Sequence, residues 1–316
     1  MELALYGEHG FYTRAGGRRG HFLTAPEVGP LFGAVIARFL DAEFDRLGRP
    51  DPFTVVDAGA GPGTLARAVL AARPQCTTAL RYVAVEPSPA QREQHPAGIE
   101  SCAELPAGPI DGVVLANELL DNLPFRLVVF DGAWREAFVA TGDDGACVEV
   151  LSAPLDPVPE VLPRRPAHGA RAPLQDRAAG WVDEARATLR SGRVVVVDYA
   201  RSSTAELTAR PWREWLRTYR RHGRGEHYLA VPGEQDITSD VALDQLPEPD
   251  AVRTQAQFLR RWGIDELAAE GRREWARGAA LPDLASVTMR SRVREAEALL
   301  DPGGLGGFTV AEWIAA

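Results

Sequence analysis

The run Val55-Val56-Asp57-Ala58-Gly59-Ala60-Gly61-Pro62-Gly63-Thr64-Leu65-Ala66 constrains the fold more than any other stretch. The apolar residues from Phe53 to Val56 read as a buried strand, and Thr64 to Leu70 as the start of a helix. Three glycines at alternate positions lie between them. Glycine lets a ligand approach the backbone of such a turn, and the helix N-terminus offers N–H groups and the positive end of its dipole. Strand, glycine turn and helix in that order begin a βαβ unit, so an α/β fold with a Rossmann-like, doubly wound sheet is expected. The spacing is not a dinucleotide fingerprint. G-x-G-x-x-G needs its third glycine where this chain has Thr64, and Gly63 comes one residue early.

About one βαβ unit downstream, Leu80-Arg81-Tyr82-Val83-Ala84-Val85-Glu86 reads as a second strand ending in a carboxylate. An acid at that tip can accept hydrogen bonds from a ribose diol. With Asp57 two residues before the first glycine, the pattern resembles motif I of class I S-adenosylmethionine-dependent methyltransferases. The resemblance implies that Asp57, Gly59, Gly61 and Gly63 lie at the methionine end of that cofactor and Glu86 at its ribose. A purely structural strand-to-helix turn is the other reading of the same residues.

The chain has 316 residues, enough for one large α/β domain with additions or for two domains. No apolar run reaches membrane-spanning length, and the start lacks a basic region followed by an apolar one, so a cytoplasmic location is expected. Cys76, Cys102 and Cys147 show no C-x-x-C spacing, so neither a metal site nor a disulfide framework is expected. With 35 basic and 44 acidic residues the formal charge is −9, which argues against general nucleic-acid affinity. All of the basic residues are arginine, a composition that points to a GC-rich bacterial genome.

Residues 1–50 form an N-terminal segment with a glycine-rich turn at 16–20 and an amphipathic helix from about Pro30 to Asp45. Residues 51–200 read as the sheet-forming core, with strands at 53–57, 81–86, 111–116, 125–130, 135–139 and 193–199 and an excursion at about 152–190. The excursion is proline- and arginine-rich to about 173 and helical at 174–190. Residues 201–316 read as a more polar, helical cap that returns to the sheet near Gly307 to Val310. The arginine-rich run from Arg213 to Arg224 reads as a solvated helix face.

Gly20-His21-Phe22-Leu23-Thr24-Ala25-Pro26-Glu27-Val28-Gly29-Pro30-Leu31-Phe32-Gly33 resembles the N-terminal signature of the MidA/NDUFAF family of methyltransferases. Ala116-Asn117-Glu118-Leu119-Leu120-Asp121-Asn122-Leu123-Pro124 resembles its second signature, and Pro232 to Val241 and Gln257 to Ile264 its distal blocks. The chain departs at His21 and Ala242, where the family carries acids. This similarity implies S-adenosylmethionine as cofactor and a protein acceptor, with arginine as one candidate. It also implies that Thr24, Pro26 and Glu27 fold over the cofactor as a lid, although Thr24 and Glu27 equally suit a helix cap.

Methyl transfer from a sulfonium is an in-line displacement that gains from alignment of nucleophile, carbon and sulfur. The strand from Ile110 to Ala116 should end beside the methyl group, because ligands of open α/β sheets lie at the carboxyl ends of the strands. Asn117, Glu118 and Asp121 follow at once. Glu118, with Asp121 as second acid, suits a planar guanidinium that is always charged. Asn117 and Asp121 also suit caps of a following helix. Tyr12, Phe22 and Tyr199 are candidates for the acceptor pocket, while His21, His168, His222 and His227 show no metal or triad spacing. Three functions stay open: a protein methyltransferase, a small-molecule O- or N-methyltransferase, and a cofactor-binding assembly protein with little catalysis.

Overall fold

The structure is a computed structural model that describes residues 1–13, 24–221, 223–278 and 284–315. The expected turn at 16–20 and the candidates His21, Phe22 and His222 lie outside the described residues. The chain groups into two compact units, each threaded from three segments. The sheet unit comprises Leu23–Glu118, Ala185–Val197 and Pro249–Ala316, and the second unit Met1–Phe22, Leu119–Glu184 and Asp198–Glu248. Residues 1–13 and 24–46, both assigned to the N-terminal segment in the sequence reading, fall in different units.

The sheet unit is built on seven strands: β1 (Phe53–Ala58), β2 (Leu80–Val85), β3 (Glu100–Cys102), β4 (Ile110–Asn117), β9 (Leu189–Asp198), β15 (Ala251–Thr254) and β16 (Thr309–Ala315). Their order is β15-β16-β9-β4-β1-β2-β3. β9, β4, β1, β2 and β3 run parallel, whereas β15 and β16 pair antiparallel at the far edge. Every residue of β1 is buried, as expected for the centre of a sheet covered on both faces. Gly112 on β4 lets two strands approach, since a Cβ there would lie 1.8 Å from the Thr54 carbonyl oxygen. Helices α2 (Ala25–Val28), α3 (Pro30–Arg46), α4 (Thr64–Ala71), α5 (Pro89–Arg92), α9 (Gln255–Arg261), α10 (Ile264–Gly278) and α11 (Leu284–Leu300) complete the unit. Among the described residues no helix is long and apolar enough to cross a membrane.

The second unit departs from the sequence reading. The runs 125–130 and 135–139, expected in the doubly wound sheet, form β5 (Arg126–Phe130) and β6 (Trp134–Thr141) of a separate antiparallel sheet. With β7 (Cys147–Pro154) and β8 (Arg171–Leu174) its order is β7-β6-β5-β8. Alternating apolar runs joined by short turns pair locally as hairpins, and their periodicity does not say which sheet they join. Among the described residues of 213–224, expected as a helix face, only Arg213–Trp215 are helical. After α8 (Trp212–Trp215) the chain forms β11 (Leu216–Arg220) and β12 (Gly223–Arg224), which pair in a three-stranded sheet with β13 (Asp236–Ser239). Two-residue strands β10 (Ala200–Arg201) and β14 (Val241–Ala242) pair as well, so the region after 200 is less helical than expected. The helix expected at 174–190 is α6 (Asp176–Ala187), which ends where β9 begins. Leu5 of α1 (Glu2–Tyr6), Phe11, Leu207 of α7 (Thr204–Thr208), Trp215 and Ile237 share one core.

An ion network ties helix to sheet in the sheet unit. Arg193 of β9 reaches Glu43 of α3 at 2.7 Å and Glu312 of β16, which also meets Arg253 of β15. Glu43 and Glu312 are buried. Truncating one partner of such a set strands the remaining charges away from water. Glu312→Ala is expected to lower the unfolding free energy by about 3 kcal/mol, read by denaturant titration, as breaking a buried pair does.

Candidate functional site

In the sheet unit, register pairs Ala58 with Val85 on one side and Ala116 on the other, so β1, β2 and β4 end at one level. Gly59, Gly61 and Gly63 follow β1 with φ of 72°, 54° and 80°, left-handed values that glycine adopts at little cost. The turn uses its own donors. Gly59 and Ala60 N–H both donate to the Val85 carbonyl at 2.9 and 3.0 Å, and Gly63 N–H to that of Ala60 at 2.9 Å. Gly61 N–H donates to Glu86 Oε2 at 3.0 Å. These four donors hold the turn's shape, unlike a phosphate cradle.

Glu86 is buried, and its Oε1 accepts the Ser88 N–H at 2.9 Å. Asp57 is buried, with the Tyr82 hydroxyl donating to its Oδ2 at 3.0 Å. Burial, and then the Asp57 carboxylate, push the Tyr82 phenol well above its ordinary range. His95, which the sequence reading passed over, places Nε2 2.9 Å from the Gly61 carbonyl and Nδ1 2.8 Å from Ser101 Oγ. A carbonyl only accepts, so Nε2 carries a proton. Gly61 is thereby gripped at its N–H and its C=O. A lone histidine in a polar stretch gave no periodic or spacing signal.

At the end of β4, Glu118 is buried at φ +53°, a left-handed conformation uncommon for a non-glycine residue. Its N–H donates to the Val197 carbonyl at 2.8 Å, and its Oε1 accepts from Asn117 Nδ2 at 3.0 Å. Asn117 Oδ1 is buried with no hydrogen-bond partner among the described residues. Thr24 donates its N–H and hydroxyl to Glu27 Oε2 at 3.0 and 3.1 Å, and Pro26 sits in the first turn of α2. Thr24 and Glu27 thus form the cap that their spacing allowed, and α2 packs on α3, α4 and α11.

Asp121 belongs to the second unit and Glu118 to the sheet unit, so the two acids expected to act as a pair sit in different units. The segment after Glu118 is a 3-10 turn, Leu120–Asn122, and neither Asn117 nor Asp121 caps a helix there. Asp121 Oδ2 accepts the Thr238 hydroxyl at 2.5 Å. Asp198, also buried, accepts the N–H groups of Leu120 at 2.8 Å, Asp121 at 3.3 Å and Tyr199 at 2.9 Å. Asp236 Oδ1 accepts from the Tyr12 hydroxyl at 2.9 Å and from Asn122 Nδ2 at 3.2 Å. The guanidinium of Arg217 lies 4.9 Å from the Tyr199 ring centre. Asp198 had a legible signal, an acid closing an apolar strand as Glu86 does. Asp236 had none, because only folding brings it to Tyr12. Among the described residues no group of three His, Cys, Asp or Glu is arranged to hold a metal.

Residues 35–260 match the family described as S-adenosyl-L-methionine-dependent methyltransferase. The chain is 27% identical to a protein of Drosophila melanogaster named "Protein arginine methyltransferase NDUFAF7 homolog, mitochondrial", over 92% of this chain and 74% of that protein. It is 23% identical to the Mus musculus protein arginine methyltransferase NDUFAF7, over 79% of this chain and 65% of the mouse protein. A crystal structure from Burkholderia thailandensis bound to S-adenosyl-homocysteine superposes with a TM-score of 0.80 at 26% identity, covering 99% of this chain and 85% of that one.

Tyr82→Phe removes the hydroxyl donor of Asp57 and leaves its ring in place. The variant is expected to lose about 1.5–3 kcal/mol of stability, the scale of a hydrogen bond to a charged group, measured by denaturant unfolding.

Proposed function

The chain belongs to this family of S-adenosyl-L-methionine-dependent methyltransferases, and from that premise we propose that it methylates a protein on an arginine side chain. The cofactor supplies a methyl group on a sulfonium, which passes to a nucleophile with the bonding pair left on sulfur. The residues at the ends of β1, β2 and β4 fit such a ligand. Glu86 accepts from ribose hydroxyls, as acids at this strand tip do in related folds. Asn117 Oδ1, buried and without a partner among the described residues, suits a donor on the ligand. The turn around Gly61, gripped by Glu86 and His95, holds the backbone at its methionine end.

The observation that carries the arginine reading is Glu118, a buried carboxylate held by Asn117 in a left-handed backbone directly past β4. Backbone strain of this kind concentrates at functional sites. The carboxylate holds the guanidinium by charge-assisted hydrogen bonds and draws positive charge away from the attacking nitrogen. Methylation leaves the guanidinium cationic and releases one proton to solvent, so the carboxylate keeps its partner throughout. The names of the fly and mouse relatives support the same acceptor.

Two variants separate binding from transfer. Glu86→Ala is expected to weaken S-adenosyl-homocysteine binding by ~1–3 kcal/mol in calorimetry, the scale of lost charge-assisted hydrogen bonds. Glu118→Gln should leave that affinity nearly unchanged and slow single-turnover transfer to protein by at least ~10-fold, or roughly 1.4 kcal/mol of transition-state stabilisation. The acceptor is identified by incubating cell extract with labelled cofactor. Label confined to small molecules overturns the protein reading, and a full transfer rate in Glu118→Gln overturns the role of that carboxylate.

A further inference from the structure

We propose that the outer edge of β7 in the second unit takes up an extended, arginine-bearing protein segment by strand addition. β7 is the terminal strand of its sheet, with β6 as its one neighbour in the order β7-β6-β5-β8. Such an edge presents a row of backbone donors and acceptors, and natural proteins blunt it with lysine, proline, bulges or a covering element. From Cys147 to Ala153 this strand has no basic residue and no proline, and Pro154 closes it at its C-terminal end only. The irregularity in its pairing lies at the far end, between Arg135 and Ala137.

Register pairs Phe138 with Val150 and Ala140 with Val148, which puts all four side chains on one face. Phe138, Val148 and Val150 are 53%, 39% and 48% exposed. Surface strands usually turn polar residues to water, so this face is built for cover.

Charge decides what covers it. From Glu136 to Pro163 the chain has six acids (Glu136, Asp143, Asp144, Glu149, Asp156 and Glu160) and no arginine, lysine or histidine. Glu149 is committed to Arg171 in a two-pronged pair at 2.6 and 2.8 Å. Asp143, Asp144, Asp156 and Glu160 are exposed and form no ion pair among the described residues. Acids around an apolar strand edge favour a partner that is extended, apolar on alternate residues and cationic between them. A second copy would bring two hairpins of the same negative sign together, which like-charge repulsion opposes. That the docked segment belongs to the methyl acceptor rests on the arginine reading; the docking itself does not.

The test uses the full chain without cofactor and a fluorescein-labelled ten-residue peptide of alternating valine and arginine, read by anisotropy. A second peptide has proline at the valine positions, keeping the charge but losing the backbone donors that strand addition needs. The valine peptide is expected to bind and the proline peptide to bind at least tenfold more weakly. Val148→Lys/Val150→Lys changes exposed positions only and should weaken the valine peptide at least tenfold. Asp143→Lys/Asp144→Lys should weaken it and flatten its salt dependence. Unchanged circular dichroism and S-adenosyl-homocysteine affinity show that the variants are folded. Equal binding of both peptides, unaltered binding by the variants, or a wild-type dimer that Val150→Lys dissociates overturns the proposal. Docking without arginine methylation upholds the edge and refutes the acceptor reading, so the two failures are distinguishable.

Discussion

The hydrogen bond from Gly61 N–H to the Glu86 carboxylate joins the turn after β1 to the tip of β2. Much of the sheet unit's candidate site depends on it. The bond requires a left-handed backbone at Gly61, parallel strands in register, and an acid at the end of β2. His95 completes the grip from the carbonyl side. The turn is thereby preorganised, and its conformational entropy is lost on folding rather than on ligand binding.

Parallel strands determine where chemistry can sit. β1, β2 and β4 leave the sheet at one level, so Asp57, Glu86 and Asn117 gather at its carboxyl edge. The chain leaves the sheet unit twice, after Glu118 and after Val197, at the ends of the neighbouring strands β4 and β9. The first departure follows a residue in the left-handed conformation. The second opens with Asp198, whose carboxylate accepts the N–H groups of the 3-10 turn that follows the first departure. Inside the second unit, the two returning segments are therefore bound to each other by a buried acid.

Glu86 and Asn117 were legible because each stands at the end of an apolar run, and a strand's direction fixes where its last residue lies. The role of Asp57 as the acceptor of the Tyr82 hydroxyl was not, since it depends on pairing between β1 and β2. Thr24 and Glu27 carried two readings, a lid and a helix cap, and the observed hydrogen bonds are those of the cap. Arg213 to Arg224 looked helical by composition, yet β11 forms because Leu216 and Thr218 alternate inward against β13. Strand and helix propensities differ by less than such packing decides.

The sequence alone determined the local grammar: the strand–glycine–helix turn, the acids at strand tips, and the parallel α/β class. These follow from backbone sterics and periodicity, which act over a few residues. Only the tertiary structure decided that β5 to β8 form their own sheet, that Glu118 and Asp121 belong to different units, and that His95 holds Gly61. The pairing of β5 with β8 and the contact of His95 with Gly61 join residues tens of positions apart. Their free energy comes from burial and hydrogen bonding in the folded molecule, and no local pattern encodes which distant partner supplies it.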